Sequence, residues 1–387
     1  MRLKDASNEA NRNIINQSSI GIYRCPRCPS VVFLKSELSV IDFDFYWKRT
    51  RTDLLNEHNT NSEVKWIPDG FHFLDHEDSL RRKKILDKVY QFFQERGYLE
   101  VTPPSFDFTS SFLKYVSPQE EARILKSRDL SGKEISPSID LTLQVVKGMA
   151  GFSVKKGNQK IFYTGRIVKD NFKKNADRRE ILQAGAEVFG HSNANTFKML
   201  LTHISELSLV LGLQKKITLV LGNTAIYSQI VNYLKFSTED KNTLSRLMYL
   251  KEEKSIREFL NAKVNKKDIK EILFKLILSF ELKEIKSDLL AISKKYKMNL
   301  EHFIEETEDI FKYSSHFKNL DLCLDYSLIR DLDYYTGFVF HGYYDRISFP
   351  LVTGGAYDHL FEKFSGIEKR ACGFAMNIDI IEEINRS

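Results

Sequence analysis

Apolar residues recur at three- and four-residue intervals between His76 and Arg96, at Leu80, Ile85, Leu86, Val89, Tyr90 and Phe93, and Gly97 follows. That stripe predicts an amphipathic helix facing a core, closed by a glycine free to take a left-handed turn. The next segment, Tyr98 to Pro104 (YLEVTPP), alternates as a strand and stops at two prolines, which cannot donate to a ladder. QKIFYTGRIV (159–168) and AGAEVFG (184–190) predict two further strands, separated by the very polar KDNFKKNADRRE. Phe197, Leu200, Leu201, Ile204, Leu207 and Leu211 mark a second core-facing helix; ITLVLG (217–222) reads as a buried strand and AIYSQIVNYLK (225–235) as another helix. From 236 to 315 the chain is rich in Lys and Glu, with almost no Gly or Pro, and reads as an all-helical insertion whose charges form a solvated face. Strand signals return in LDLCLDYSLI and FVFHGYY, the Gly354–Gly355 pair follows, and ACGFAMNIDIIEEI comes last. Strands joined as hairpins with helices gathered at the margins predict an α+β fold on an antiparallel sheet flanked by helices.

Residues 1–64 differ in texture: polar and rich in Asn and Ser, interrupted by VVFL and DFDFYW, they read as an irregular amino-terminal extension, leaving 65–387 as the core. With 42% hydrophobic residues the chain of 387 is too apolar to be disordered. No apolar run approaches the roughly 20 residues of a membrane span, and the polar amino terminus lacks the apolar stretch of a secretory signal, so a cytoplasmic protein with no membrane contact is expected. The net charge of +6, from 58 basic and 52 acidic residues, is too balanced to indicate nucleic acid. Cys25 and Cys28, in RCPRCP, supply half of a tetrahedral zinc site, and neither His58 nor His72 forms a second tight pair, so no metal and no cofactor are expected. Cys323 and Cys372 read as small buried hydrophobes.

Three clusters carry the candidate chemistry. Asp140 and Thr142 stand two apart, read as one face of an extended segment; Gln183 and Glu187 stand four apart on one face of a strand; Arg330, Tyr334 and Tyr335 precede the turn residue Gly337. Each alone is an ordinary pattern. Converging on an inward sheet face, such polar groups are costly unless satisfied, and a zwitterionic ligand satisfies them: carboxylates and an amide for its ammonium, an arginine fork for its carboxylate.

RDLDYYTGFVF (330–340) resembles the R-G-L-D-Y-Y-T-G-x-V-F segment of the histidyl-tRNA synthetase family. LQAGAEVFG is similar to its H-Q-x-G-x-E-x-x-G, TGGAYDHL to its G-G-R-Y-D-x-L, and ACGFAMNIDII to its A-x-G-F-A-x-x-x-E-R-L, over a stretch from about Trp66 almost to the carboxyl terminus. The resemblance implies a class II aminoacyl-tRNA synthetase-like core. It further implies a histidine site in which Asp140, Thr142 and Gln183 hold the α-ammonium, Glu187 and Tyr335 contact the imidazole, Tyr334 shapes the wall and Arg330 lies on the carboxylate. Asp140 replaces the family's Glu and shortens that wall by one methylene.

The departures fall on the phosphate side. Lys169 and Asn171 stand where the second class motif has Arg and Glu, Ala356 replaces the Arg of G-G-R-Y-D, and Asp379-Ile380-Ile381 replaces E-R-L. Lysine lacks the planar fork for an α-phosphate, and loss of one preorganised donor at a developing charge costs about 3 to 4 kcal/mol. The synthetases also continue into an anticodon-binding domain of about 90 residues, whereas this sequence stops at Ser387.

Together these features resemble the regulatory subunits of ATP phosphoribosyltransferase, a synthetase-like paralogous family. The resemblance implies a non-catalytic chain that partners a short-form catalytic subunit, responds to histidine as effector, forms a homodimer within a hetero-octamer, and binds no tRNA. Two alternatives stay open: a degenerate synthetase-like enzyme that still activates an amino acid, using Lys169, and an amino-acid sensor for another partner.

Overall fold

Asp75 begins the first long helix, α1 (His76–Glu95), by accepting the Asp78 N–H at 2.9 Å, and Gly97, at φ +72°, lets the chain turn out of it. The computed structural model describes residues 22–25, 28–34, 67–116, 121–152, 157–170, 178–328, 334–345 and 347–386. The buried stripe of α1 holds Ile85, Val89, Phe92 and Phe93. Leu80 is exposed, contrary to its place in the apolar pattern, because Asp78 and Arg82 occupy the inward positions of that first turn. In the extension read as irregular, β1 (Ile22–Cys25) and β2 (Cys28–Leu34) pair as an antiparallel hairpin that sets Cys25 opposite Cys28.

After α1, the strand expected at 98–104 shrinks to β3 (Leu99–Glu100). β4 (Phe106–Phe108), α2 (Thr109–Leu113), β5 (Ser127–Arg128) and β6 (Glu134–Pro137) come next, the strands forming a small sheet in the order β4-β6-β5. Then follow α3 (Leu141–Phe152), β7 (Gln159–Val168), β8 (Glu180–Phe189), α4 (Ala194–Val210), β9 (Ile217–Asn223) and α5 (Thr224–Tyr233). Five helices run in succession: α6 (Thr238–Tyr249), α7 (Glu253–Lys263), α8 (Lys267–Leu278), α9 (Leu282–Tyr296) and α10 (Glu301–Ser314). The chain closes with β10 (Leu320–Leu324), β11 (Phe338–Tyr344), β12 (Val352–Ala356), α11 (Leu360–Ser365), β13 (Ala371–Asn377) and α12 (Ile378–Arg386).

The main sheet has eight strands in the order β10-β9-β11-β12-β13-β8-β7-β3. Its centre is antiparallel, as the hairpin pattern predicts, and its two edge pairings, β10 with β9 and β3 with β7, are parallel. Strand alternation assigns the faces. Ala184, Ala186 and Val188 of β8 pack with α1 and α4 into one core, while Ile181 and Phe189, two residues from Gln183 and Glu187 respectively and so in phase with them, join α3 and α11 on the other. Gln183 and Glu187 therefore share the α3 face. Helices α6–α10 and α5 build a separate apolar core, into which Leu324 and Tyr326 insert from the end of β10. Among the described residues, no helix is long and apolar enough to cross a membrane.

Candidate functional site

Glu187 is 1% exposed at the centre of the sheet. Its Oε1 accepts from the Thr142 hydroxyl and the Tyr163 hydroxyl, both at 2.9 Å, and its Oε2 accepts from the Tyr357 hydroxyl. The sheet makes room for this arrangement with glycines. A Cβ on Gly373, the register partner of Glu187 on β13, would lie 1.6 Å from Glu187 Oε2, and one on Gly185 would lie 2.3 Å from the Tyr163 ring. Burial pushes the Glu187 carboxyl up to about 7, outweighing the three hydroxyl donors that favour its charged form. Burial likewise holds Tyr163 and Tyr357 well above the ordinary phenol range, so both remain donors.

Asp140 and Thr142 do not lie on an extended segment. Asp140 immediately precedes α3 and Thr142 is in its first turn, with Asp140 Oδ1 accepting the Leu143 N–H at 2.9 Å as a cap. The capping tendency of Asp outweighs the two-residue alternation, yet both side chains still reach the pocket. Asp140 Oδ2 accepts from the Tyr334 hydroxyl at 3.1 Å, and the Tyr334 and Tyr335 rings lie with centroids 4.7 Å apart. Tyr335 packs over Gly355, where a Cβ would come within 2.7 Å of its ring. Asp140, Thr142, Gln183, Glu187, Tyr334 and Tyr335 line one enclosed cavity of about 50 Å³, and Lys169 lines it too. That is room for a few water molecules, so a larger occupant requires the walls to part. Arg330 and Asn171 lie outside the described residues.

The departures at Ala356 and at 379–381 sit in a different environment. Ile380 and Ile381 pack into the main core, as does Ala356. Asp379 accepts the Leu182 N–H at 2.7 Å and pairs with Arg82 at 2.5 Å and with Arg178 at 3.6 Å. Arg82 also forks onto Glu382 at 2.6 and 2.8 Å. Arg178 is thus buried. A wider cavity, about 770 Å³ and open, lies elsewhere, beside Leu99, His191 and Met199. Among the described residues no group of three His, Cys, Asp or Glu could hold a metal ion.

Tyr163 and the role of Tyr357 escaped the sequence reading. The available signal was Gly185 in the Gln183–Glu187 run, a residue that weakens a strand unless something approaches closely; its register partner on β7 is Tyr163.

The fold and this cavity define a class II aminoacyl-tRNA synthetase-like protein of the histidyl type. The family model described as histidyl-tRNA synthetase matches residues 70–381. The ATP phosphoribosyltransferase regulatory subunit of Leptospira interrogans (serovar copenhageni, strain Fiocruz L1-130) is 44% identical over 325 residues, covering 83% of this chain and 94% of the relative. The one from Clostridium botulinum (strain Langeland) is 27% identical, covering 82% of this chain and 75% of the relative. A crystal structure described as an ATP phosphoribosyltransferase regulatory subunit/histidyl-tRNA synthetase from Bacillus halodurans C shares the fold, with a TM-score of 0.70 at 20% identity over 83% of each chain. The chain belongs to the ATP phosphoribosyltransferase regulatory subunit family, built on the histidyl-tRNA synthetase fold.

Proposed function

We propose that this chain is a non-catalytic regulatory subunit of ATP phosphoribosyltransferase, required for the activity of a short-form catalytic subunit and for feedback control by histidine in the first step of histidine biosynthesis. The names of its relatives support the role. One observation carries the finer reading: polar side chains converge around Glu187, while the position that resembles the nucleotide-directed Arg is Ile380, buried in the core.

In this reading Asp140, Thr142 and Gln183 take the ligand ammonium, Glu187 and Tyr335 the imidazole, and Arg330 the carboxylate, with Tyr334 moving off Asp140 as the cavity widens. Glu187, near its point of half-ionisation at neutral pH, suits a ring that itself titrates there. Control is linkage: histidine binds one quaternary state of a regulatory homodimer within a hetero-octamer better than the other, with a coupling of about 1 to 3 kcal/mol. No tRNA takes part. Calorimetry with histidine tests the pocket, and uptake without any histidine-dependent pyrophosphate–ATP exchange is the expected result; measurable exchange would establish the synthetase-like enzyme instead.

A further inference from the structure

Lys251 is a buried lysine far along the chain from every pocket residue. It lies between α6 and α7 at φ +48° and is 5% exposed. Its ammonium donates to Asp325 Oδ1 at 3.1 Å, to Ser327 Oγ at 2.7 Å and to the Ile277 carbonyl at 3.2 Å, using all three of its donors. Ile277 is in the last turn of α8, whereas Asp325 and Ser327 form the turn leaving β10. The Ser327 N–H and hydroxyl both donate to Asp325 Oδ1, at 2.9 and 2.6 Å, so one carboxylate oxygen fixes the turn and its attachment together.

The same turn is held from the sheet side. The Asp325 N–H donates to Leu221 O at 2.9 Å, and Gly222 permits the approach, since a Cβ there would lie 3.1 Å from the carbonyls of Asp325 and Leu328. Leu324 and Tyr326 insert into the helical core, and the Leu324 N–H donates to Phe280 O. Residues 325–328 are thus clamped between the helices and the end of β9; just past that end, Thr224 donates through its N–H and its hydroxyl to Gly337 O, both at 3.0 Å, two residues beyond Tyr335, which lines the cavity with Tyr334. An apolar contact would give comparable stability, because a buried ion pair recovers little more than its desolvation cost; the best-attested use of such a pair is to fix one arrangement among several.

We propose that Lys251 is a positioning residue for the pocket: through Asp325, Ser327 and the end of β9 it sets Tyr334 and Tyr335, so that helices α6–α10 and the cavity respond as one unit. The ligand part of this inference rests on the reading of the cavity as a histidine site. The test compares the full-length parent with Lys251→Met and with Lys251→Met/Asp325→Asn, which leaves no lone buried charge and keeps an acceptor for the turn. Lys275→Met, at the exposed Asp288 pair of the same helical unit, is the control.

Amide exchange at Thr336, whose N–H donates to Ala356 O, should accelerate at least tenfold in the double variant, with α8 and α9 within twofold of the parent. Histidine affinity should fall at least tenfold, with the control unchanged in both. Unchanged exchange at Thr336 in a folded double variant, or equal acceleration across α8 and α9, overturns the proposal. If the parent takes up no histidine, the reading of the cavity falls, while exchange at Thr336 still decides for or against the pin.

Discussion

Glu187 and His203 titrate in opposite senses, which gives the molecule a specific pH signature. Burial holds the folded Glu187 at about 7 against an ordinary 4.5, so between those values the folded state carries a proton the unfolded state has lost, and stability falls as pH rises. The loss is about 3 kcal/mol once pH passes 7. Burial, together with the nearby Arg96 charge, lowers His203 to about 4 from 6.5, so the unfolded state is the one that takes up the proton and stability falls as pH drops through that window. From about 4.5 to 6.5 the two slopes cancel. Urea unfolding of Glu187→Gln at pH 4.5, 5.5 and 7.5 should expose the acid loss due to His203, and His203→Gln should expose the opposite loss toward neutral pH; variants that track the parent at every pH would remove both assignments. Gly373→Ala belongs to the same scale. A methyl group 1.6 Å from Glu187 Oε2 and 2.4 Å from Ala186 O cannot be relieved by side-chain rotation alone, so thermal unfolding should show a loss of several kcal/mol.

At the scale of elements, α1 and α12 are joined by charge in a buried place. Arg82 reaches both Asp379 and Glu382, and Asp379 also accepts the Leu182 N–H beside Gln183, so this cluster holds β8 at the margin of the cavity. Arg82→Met should cost about 3 to 5 kcal/mol, because it takes the fork from buried Glu382 and leaves Asp379 only the longer pair with Arg178; chemical denaturation that finds less than 1 kcal/mol would show the cluster to be open to water. Elements with a long apolar period were legible in the sequence: α1, α4, α5 and the strands β7, β8 and β9 fall where periodicity puts them. Two readings were not. Asp140-x-Thr142 satisfies a strand and a helix start equally over three residues, and only the cap to Leu143 decides between them. The strand after Gly97 is cut to two residues at the sheet edge, where a single parallel neighbour, β7, supports it. In the cavity the acidic and amide positions were legible from spacing on one strand face, whereas Tyr163 was not, since its approach to Glu187 depends on the register of β7 against β8.

Across the whole molecule, the proposed activity divides between an enclosed polar cavity in the sheet and a helical unit with its own core. The cavity's small volume fits an effector site that couples occupancy to a change of shape, since a ligand that must part the walls binds the parted state preferentially. Arg330→Lys should weaken histidine binding about tenfold or more in calorimetry, one ammonium being unable to reproduce the guanidinium fork; equal affinity would remove Arg330 from the ligand. The central claim is tested most directly by mixing the purified chain with a short-form ATP phosphoribosyltransferase catalytic subunit and following phosphoribosyl-ATP formation. Activity that appears only with this chain present, and that histidine then suppresses, is the predicted result; a rate that does not depend on the chain would contradict it.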